Sequence, residues 1–243
     1  MKSGVGLSIV LPTYKEKENL SILIPQIEEG FRGDSFEIIV VDDNSKDGTR
    51  ALIEDLSGRY GNIHLIERAG LLGIGSALRE GYNIAKGEFI LSSDADLSFD
   101  VKDMRSLFEE IQKGPDLVLG YKVEHRSGER KKNRKKPFGI RVKNSLSELG
   151  NRLVRCLSGM GKIRNFNTNF RIIRNSTWKT IRTTEDRNFF LFETIFKVRK
   201  IGAVITEIPV TFYNRKFGES KLNFLKEGPR YFSKLIRYTF FAK

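Results

Sequence analysis

Two apolar runs in the first half of this chain end in carboxylates, and this arrangement restricts the fold more than any other feature of the sequence. Phe36–Val41 leads into Asp42 and Asp43, and Glu88–Leu91 leads into the segment Asp94-Ala95-Asp96. Apolar runs without polar alternation are typical of strands covered on both faces, as in a parallel sheet between layers of helices. Ligands bind such sheets at the carboxyl ends of the strands. The sequence therefore predicts an acidic ligand site at one edge of a parallel sheet.

Strand and helix patterns alternate along the chain, which favours βαβ units with right-handed crossovers and a mostly parallel sheet. The predicted fold class is therefore α/β. The strands are predicted over Leu7–Leu11, Phe36–Val41, Ile63–Ile66, Glu88–Leu91, Asp116–Leu119, Phe170–Ile173 and Ala203–Tyr213. The helices are predicted over Asn19–Glu29, Asp47–Leu56, the segment ending at Ala85, Val101–Gln112, Ile140–Leu157, Phe189–Lys200 and the C-terminus.

Asp94 and Asp96 form a D-x-D pair directly after a predicted strand. In an extended segment, residues two apart point to the same side, so both carboxylates could share one hard divalent cation. The expected cofactor is Mg²⁺ or Mn²⁺. An Asp-rich turn that only caps the next helix is the alternative for this pair.

The charge of the chain is divided unevenly between its halves. The net charge is +13, but residues 1–121 hold 13 Lys/Arg against 21 Asp/Glu, whereas residues 122–243 hold 30 against 9. The basic half is expected to face an anion such as a phosphate ester or a membrane surface, unless it is only a solvated surface. Nucleic acid is not an expected partner, because the basic segment 122–143 has no aromatic residue for base stacking before Phe138.

The cysteine content and the apolar segments suggest where the chain acts. A single cysteine, Cys156, excludes an intrachain disulfide and favours a reducing compartment. The first residues lack the pattern of a signal peptide, and no apolar stretch approaches the roughly 20 residues that span a bilayer. We expect a cytoplasmic protein that is soluble or peripheral to a membrane.

Five motifs carry a resemblance to a known family: PTYKEKENL from Pro12, VDDNSKDGT from Val41, RAGLLGIGSA from Arg68, SSDADLS from Ser92 and RKFGESKL from Arg215. In their order and spacing the chain resembles glycosyltransferase family 2, and within it the polyprenyl-phosphate sugar synthases of the dolichyl-phosphate mannose synthase kind. The resemblance implies one GT-A domain over residues 1–243. Its parts would be a nucleotide- and metal-binding half (1–121), an acceptor-binding half (122–222) and an amphipathic helix (223–243).

The resemblance also implies a reaction and its residues. A metal-dependent, inverting enzyme would move mannose or glucose from GDP-mannose or UDP-glucose to a polyprenyl (dolichyl) phosphate. Arg215, Ser220 and Lys221 would close over the phosphates. By this resemblance the donor site is Pro12, Tyr14, Glu16, Val41, Asp43, Asp94, Ala95, Asp96, Lys122, Arg215 and Lys221; the metal ligands are Asp94 and Asp96; the acceptor-phosphate residues are Arg141 and Ser145; and the catalytic residues are Asp96, Lys122, Arg141 and Arg215.

The sequence departs from the family pattern at several of these places. Lys122 stands where these synthases usually have arginine, Ser98 where a glutamine ligand is common, and Leu71 where a lysine is usual. A D-x-x-S-G-F pattern is replaced by Asn165–Phe170, without its acid and its glycine. An acidic residue of the family is kept at Glu193.

The final segment bears on membrane binding. In a helix, Arg230, Lys234 and Arg237 fall on one side, with Phe232, Leu235, Ile236 and Phe240 opposite. This helix and the basic segment are expected to lie on the cytoplasmic face of a membrane, and the alternative is a helix packed on its own domain. Because many relatives continue into transmembrane helices, a membrane-anchoring partner subunit is a further expectation.

Three other functions remain open from the sequence. Transfer to a hydroxyl of a glycan or a small molecule would need a carboxylate base, for which Glu193 and Asp186 are the candidates. The other two alternatives are a basic module that binds nucleic acid or a membrane without catalysis, and a GT-A scaffold without activity.

Overall fold

A computed structural model describes residues 4–123, 160–161, 163–213, 230–231 and 233–238 of the protein. Seven strands in this part of the chain form one sheet: β1 (Leu7–Thr13), β2 (Phe36–Asp42), β3 (Ile63–Glu67), β4 (Phe89–Ser92), β5 (Leu117–Val123), β6 (Arg171–Arg174) and β7 (Ile205–Thr211). The helices are α1 (Lys17–Gly30), α2 (Thr49–Tyr60), α3 (Ile74–Ile84), α4 (Val101–Gln112), α5 (Asn175–Thr180) and α6 (Phe189–Lys200), and residues 230–231 and 233–238 form a C-terminal helix.

The sheet has the strand order β3-β2-β1-β4-β6-β5-β7. Every neighbouring pair is parallel except those of β6, which runs antiparallel to both β4 and β5. The expected mostly parallel sheet is confirmed. Because β6 is reversed, its first residue, Arg171, pairs with Ser92 at the carboxyl end of β4. The segment before β6 therefore reaches the same edge of the sheet as the D-x-D segment after β4.

Both faces of the sheet are buried, which explains the apolar runs without alternation. In β1, Leu7, Ile9 and Leu11 join a core with α1, α2 and α4, whereas Val10 joins a second core with α3, α5 and α6. Each fully buried aliphatic side chain contributes about 1.5–3 kcal/mol. The central strands are thereby held from both sides, and their carboxyl ends are fixed relative to each other.

Several predicted bounds differ from the structure. The helix predicted from Asn19 begins at Lys17 and continues through Pro25, and the helix predicted from Asp47 begins at Thr49 after Gly48 (φ 89°). The strand predicted over Ala203–Tyr213 is shorter, and α5 was not predicted. The helix predicted over Ile140–Leu157 and the basic segment from residue 124 onward lie outside the described residues.

The C-terminal helix packs on the domain. Leu235 is only 1% exposed and belongs to the second core, against which Tyr231 and Tyr238 also pack. The burial of Leu235 therefore favours the alternative of a helix packed on its own domain, while Ile236 on the same side is half-buried. Arg230 and Arg237 remain exposed. No helix within the described ranges is long and apolar enough to cross a bilayer.

Candidate active site

The carboxyl ends of β1 and β2 form the first part of the site. Thr13 and Asp42 pair in register, and the N–H of Asp43 donates to the Thr13 carbonyl at 2.9 Å. The Asp42 carboxylate is occupied by the turn that follows, since it accepts from the backbone N–H of Ser45 at 2.7 Å and from its hydroxyl at 2.5 Å. The turn does not engage the carboxylate of Asp43, which instead interacts with Arg68 and the backbone of Leu72 and Gly73.

Asp43 is held by Arg68, a residue outside the predicted site. The guanidinium Nη1 lies 2.5 Å from Asp43 Oδ1, and the two side chains are 2% and 7% exposed. Burial raises the pKa of the Asp43 carboxyl above its usual value, more than the neighbouring Arg68 charge lowers it. Arg68 opens the motif RAGLLGIGSA, and this position was the available signal for it.

Other residues of the predicted donor site lie around the end of β1. Pro12, Tyr14 and Glu16 are half-buried, and Glu16 accepts a hydrogen bond from the Asn19 amide at 2.5 Å. An aromatic ring and a carboxylate at this place suit a base and a ribose. Val41 is fully buried in the second core, so any contact it makes with a donor would come from its backbone.

Two glycines of the motif RAGLLGIGSA, Gly73 and Gly75, allow close packing. A Cβ on Gly75 would lie 2.5 Å from Phe190 Cβ and 2.6 Å from the Glu185 carbonyl oxygen. Gly73 has φ 103°, and a Cβ there would lie 2.5 Å from the Asp186 carbonyl oxygen. These glycines let the start of α3 approach the segment before α6.

The D-x-D segment follows β4 but is not extended as expected. The chain bends over residues 95–97, and Leu97 has the left-handed φ of 59°. Asp94 is half-buried, Ala95 is buried, and Asp96 is only 4% exposed, with its Oδ1 accepting from the backbone N–H of Ser98 at 3.0 Å. The turn therefore fixes one oxygen of Asp96.

Two buried polar atoms beside this segment have no hydrogen-bond partner in the described part of the chain. They are Ser98 Oγ and Asn169 Oδ1. Asn169 precedes β6, and its amide Nδ2 donates to Asp94 Oδ1 at 3.1 Å. Buried polar groups of this kind are usually satisfied by an ordered water or a bound ion.

The donor set at this edge fits a hard divalent cation. Asp94, Asp96 and Ser98 offer oxygen ligands, which Mg²⁺ and Mn²⁺ prefer. Within the described ranges, no cluster of three or more His, Cys, Asp or Glu side chains is placed to hold a metal. The site would therefore use its two carboxylates together with ligand phosphates, as is usual for Mg²⁺.

Lys122 lies at the carboxyl end of β5 among aromatic rings. Its Nζ is 3.4 Å from the Phe212 ring centroid and 5.8 Å from that of Phe99, and Phe99 stacks on Phe170 at 4.2 Å. The backbone N–H of Tyr213 donates to the Ser98 carbonyl at 2.9 Å. Lys122 is thus connected through packed rings to the segments that carry Asp96 and Asn169.

The two candidate bases for a hydroxyl acceptor are both engaged. Glu193 is fully buried and accepts from Lys197, Tyr238, Thr184 and the backbone of Glu185. Burial acts to raise its pKa, but these hydrogen bonds outweigh burial and lower the pKa of Glu193 below its usual value. Asp186 is exposed and pairs with Arg79. The remaining predicted site residues, Arg141, Ser145, Arg215, Ser220 and Lys221, lie outside the described residues.

Comparison with known families identifies the family to which this chain belongs. The family model described as glycosyl transferase family 2 matches residues 8–197, which include the ends of β1, β2 and β4 and the segment before β6. The chain belongs to glycosyl transferase family 2. The resemblance drawn from the five motifs is confirmed.

The curated proteins that match this chain include lipid-phosphate sugar synthases. The dolichol-phosphate mannosyltransferase of Pyrococcus furiosus is 29% identical over 216 residues, which cover 89% of this chain but only 59% of that protein. The polyprenol monophosphomannose synthase of Mycolicibacterium smegmatis is 29% identical over 233 residues, 88% of this chain and 80% of that protein. A dolichyl-phosphate β-glucosyltransferase of Trichomonas vaginalis is 26% identical, covering 86% of this chain and 66% of that protein.

Solved structures of this fold confirm the GT-A prediction. Glucosyl-3-phosphoglycerate synthase of Mycobacterium tuberculosis superimposes with a TM-score of 0.70 over 99% of this chain and 80% of that one, at 17% identity. That enzyme was crystallised with Mn²⁺, UDP and glucosyl-3-phosphoglycerate, and also with Mg²⁺ and UDP. At this identity the likeness shows the fold alone.

Proposed function

We propose that this family 2 member transfers a hexose, mannose or glucose, from a nucleoside diphosphate sugar to a polyprenyl phosphate. The observation that carries the proposal is the acidic edge of the sheet, with Asp43 and Arg68 after β2 and Asp94 and Asp96 after β4. One strand, β1, lies between β2 and β4, so the two groups are about 10 Å apart. That span suits a ligand whose base lies at one group and whose diphosphate lies at the other.

The donor would be held in two places. Asp43, oriented by Arg68, would accept hydrogen bonds from the nucleoside, and Tyr14 would contact the base or ribose. Asp94 and Asp96 would hold Mg²⁺ or Mn²⁺, which when bound neutralises the charge of the leaving diphosphate. The choice between GDP-mannose and UDP-glucose is a question for experiment, because relatives of both sugar specificities match this chain.

The state of the candidate bases favours a phosphate as the acceptor. A phosphate monoester is already anionic near pH 7 and attacks without a strong general base, whereas a hydroxyl needs one. Glu193 is saturated with hydrogen bonds and its pKa is lowered, so it is a poor proton acceptor. Asp186 is tied to Arg79. The site therefore supports an acceptor that brings its own negative charge.

Positive charge would then bring two anions together. Lys122, at the end of β5, is the described cation of this set. Arg141 and Ser145 would hold the acceptor phosphate, and Arg215, Ser220 and Lys221 would close over the donor phosphates, as the family resemblance implies. We place residues 122–222 in the acceptor-binding half of a single domain, and the reaction at the cytoplasmic face of a membrane, with a membrane-anchoring subunit as a further proposed partner.

A two-step experiment tests the function. Thermal-shift measurements with GDP- and UDP-sugars, each with Mg²⁺ or Mn²⁺, identify the donor, because a tight ligand raises the melting temperature by mass action. The labelled donor is then offered to a polyprenyl phosphate, to the unphosphorylated polyprenol and to 3-phosphoglycerate. We expect label in the lipid phosphate only. Transfer to 3-phosphoglycerate or polyprenol in its place would refute the proposed acceptor.

The first prediction concerns the variant Asp96→Asn. We expect it to lose metal-dependent donor stabilisation and at least about 100-fold in transfer rate, because the diphosphate loses its counter-ion. Asp55→Asn, at an exposed position of α2, is the matched control and should behave like the wild type. Wild-type rates in Asp96→Asn, or in wild-type protein with excess chelator, would contradict the assignment.

A further inference from the structure

Asn169, in the segment before β6, contacts Asp94 of the D-x-D pair. It lies 75 residues away in sequence, yet its side-chain amide reaches Asp94 Oδ1 at 3.1 Å. The reversed direction of β6 causes this contact, since it brings the start of that strand beside the end of β4. Asn169 is only 4% exposed. It also lies in the segment where the family pattern D-x-x-S-G-F is absent from this chain.

Chemistry fixes the orientation of this amide. A carboxylate only accepts hydrogen bonds, so the NH₂ group of Asn169 must face Asp94. The amide oxygen then points elsewhere, and Asn169 Oδ1 has no hydrogen-bond partner among the residues described. The buried amide of Asn169 therefore has one orientation relative to the Asp94 carboxylate.

The backbone around Asn169 is held by a set of buried contacts. The Ser92 hydroxyl donates to the Asn169 carbonyl at 2.8 Å and is itself bonded to the Tyr82 hydroxyl at 2.7 Å. The fully buried guanidinium of Arg171 donates to the Thr168 carbonyl through Nε at 2.9 Å, and to the Leu191 carbonyl at 3.0 Å. The segment therefore cannot move away from Asp94 without breaking several buried hydrogen bonds.

Burying the charged guanidinium of Arg171 costs free energy. Burial lowers the pKa of Arg171 to about 10. Its guanidinium donates to carbonyl oxygens, which compensate part of the hydration that the buried charge loses. These hydrogen bonds hold the Thr168 carbonyl, one residue before Asn169, and the Leu191 carbonyl of α6. Arg171 therefore connects the segment that carries Asn169 to α6.

We propose that Asn169 is the positioning residue for Asp94 and thereby sets the affinity of the site for the divalent ion and the donor diphosphate. By donating to one carboxylate oxygen, Asn169 gives Asp94 a single orientation before the donor arrives. Loss of such a supporting hydrogen bond at a metal ligand typically lowers metal affinity about 10–100-fold. This inference rests on the proposed function for its metal, but not on the identity of the acceptor.

The test measures binding without turnover. Electron paramagnetic resonance of free Mn²⁺ gives the Mn²⁺ affinity in the presence of UDP and, separately, of GDP. Asn169→Ala removes the amide, and Asn169→Asp keeps its shape while replacing the donor by an acceptor. Asn167→Ala, at an exposed position of the same segment, is the matched control. The melting temperature without ligand checks that each variant folds.

We expect both Asn169 variants to bind Mn²⁺ with the better nucleotide about 10–100-fold more weakly than the wild type. Asn167→Ala should bind like the wild type. Wild-type affinity in both Asn169 variants would overturn the inference and leave the proposed function intact. Affinity in Asn169→Asp that equals or exceeds that of the wild type would overturn the donor role, even if Asn169→Ala fails to fold. Normal Mn²⁺–nucleotide binding without transfer to lipid phosphate would refute the proposed acceptor alone.

Discussion

Arg68 and Asp43 form a buried ion pair at the proposed nucleoside end of the site. Besides Asp43, the Arg68 guanidinium donates to the Gly73 carbonyl at 3.3 Å and to the Ser76 hydroxyl. A buried pair of this kind adds little stability compared with apolar residues, but the loss of one partner leaves an uncompensated charge. In the proposed function, this pair would orient Asp43 toward the nucleoside.

The second prediction concerns this pair. We expect Arg68→Met to lower the free energy of unfolding by about 3–5 kcal/mol near neutral pH, because Asp43 stays buried without its cation. Burial already raises the Asp43 pKa above its ordinary 3.8, and removal of Arg68 should raise it further. A carboxyl whose folded-state pKa is raised contributes stability below the unfolded pKa and loses it as pH rises through the folded pKa.

The penalty of Arg68→Met should therefore be larger at pH 7 than at pH 4, as measured by urea unfolding. The matched control is Arg59→Met on α2, where an exposed pair with Asp55 is broken. Exposed pairs of this kind contribute about 0–1 kcal/mol. A penalty for Arg68→Met that is the same at both pH values would show that the charge of Asp43 is not its cause.

Some of the residues of the site could be predicted and others could not. Asp43, Asp94 and Asp96 follow strands whose apolar runs are evident in the sequence. Their position at one edge of the sheet could therefore be predicted from the fold class. Arg68 and Asn169 reach their carboxylates from 25 and 75 residues away. Such contacts depend on where β3 ends and on the direction of β6, which local patterns do not reveal. The bend after Asp94 was also missed, because it depends on a left-handed Leu97.

At the scale of elements, α6 connects the segment before it to the C-terminal helix. Glu193 in its middle accepts from the backbone N–H groups of Thr184 and Glu185 at 3.0 Å each, and from the Tyr238 hydroxyl at 2.7 Å. Lys234 of the C-terminal helix also pairs with Glu185. The acid kept from the family pattern thus has a structural role in this chain, and it holds the last helix against the domain.

The third prediction follows from this contact. We expect Tyr238→Phe to lower the free energy of unfolding by about 1.5–3 kcal/mol, because a buried carboxylate loses a hydroxyl donor. Urea unfolding at pH 7 measures the change. Tyr60→Phe, at a half-buried position at the end of α2, is the matched control and should change stability by less. An equal loss in both variants would mean that the hydroxyl bond to Glu193 adds nothing.

The elements themselves were predictable in proportion to their length and pattern. The strands β1, β2 and β4 carry continuous apolar runs, and their positions were predicted to within two residues. The helix α5 spans only six residues, Asn175–Thr180, and includes Ser and two Thr, which have modest helix propensity. Its position depends on Asn175, whose amide donates to the Ala85 and Gly87 carbonyls at 3.0 and 2.8 Å. A tertiary contact of this kind gives no local signal.

At the scale of the whole molecule, the acidic half of the chain coincides with the carboxylates of the proposed donor site, and the basic half with the proposed acceptor-binding half. The acidic half supplies the carboxylates of the proposed donor site, and the basic half supplies 30 of the 43 Lys and Arg residues. Because Leu235, Tyr231 and Tyr238 of the C-terminal helix pack on the domain, we expect membrane docking to depend on charge more than on apolar insertion. The proposed docking surface is the basic segment 122–143 together with the exposed Arg230 and Arg237.

The fourth prediction tests this docking surface. Each Lys or Arg near an anionic bilayer contributes about 1 kcal/mol of attraction, so a cluster suffices for reversible binding without a membrane span. We expect neutralisation of the six basic residues 130–132 and 134–136 to weaken binding to phosphatidylserine liposomes and to slow transfer to lipid phosphate. Donor binding should stay nearly unchanged, because none of the six changed residues belongs to the proposed donor site. Sedimentation with liposomes and thermal shift with the donor measure the two effects.

The matched control removes the same number of positive charges from the acidic half. It neutralises six exposed residues there: Arg32, Lys46, Arg59, Lys86, Lys102 and Lys113. Both variants lose six charges from the net +13, so an effect of total charge alone would weaken liposome binding equally in both. We expect a loss only when the basic segment is changed, and a loss that shrinks as salt screens the attraction. Equal docking of the basic-segment variant and the wild type at low salt would instead identify that segment as a solvated surface.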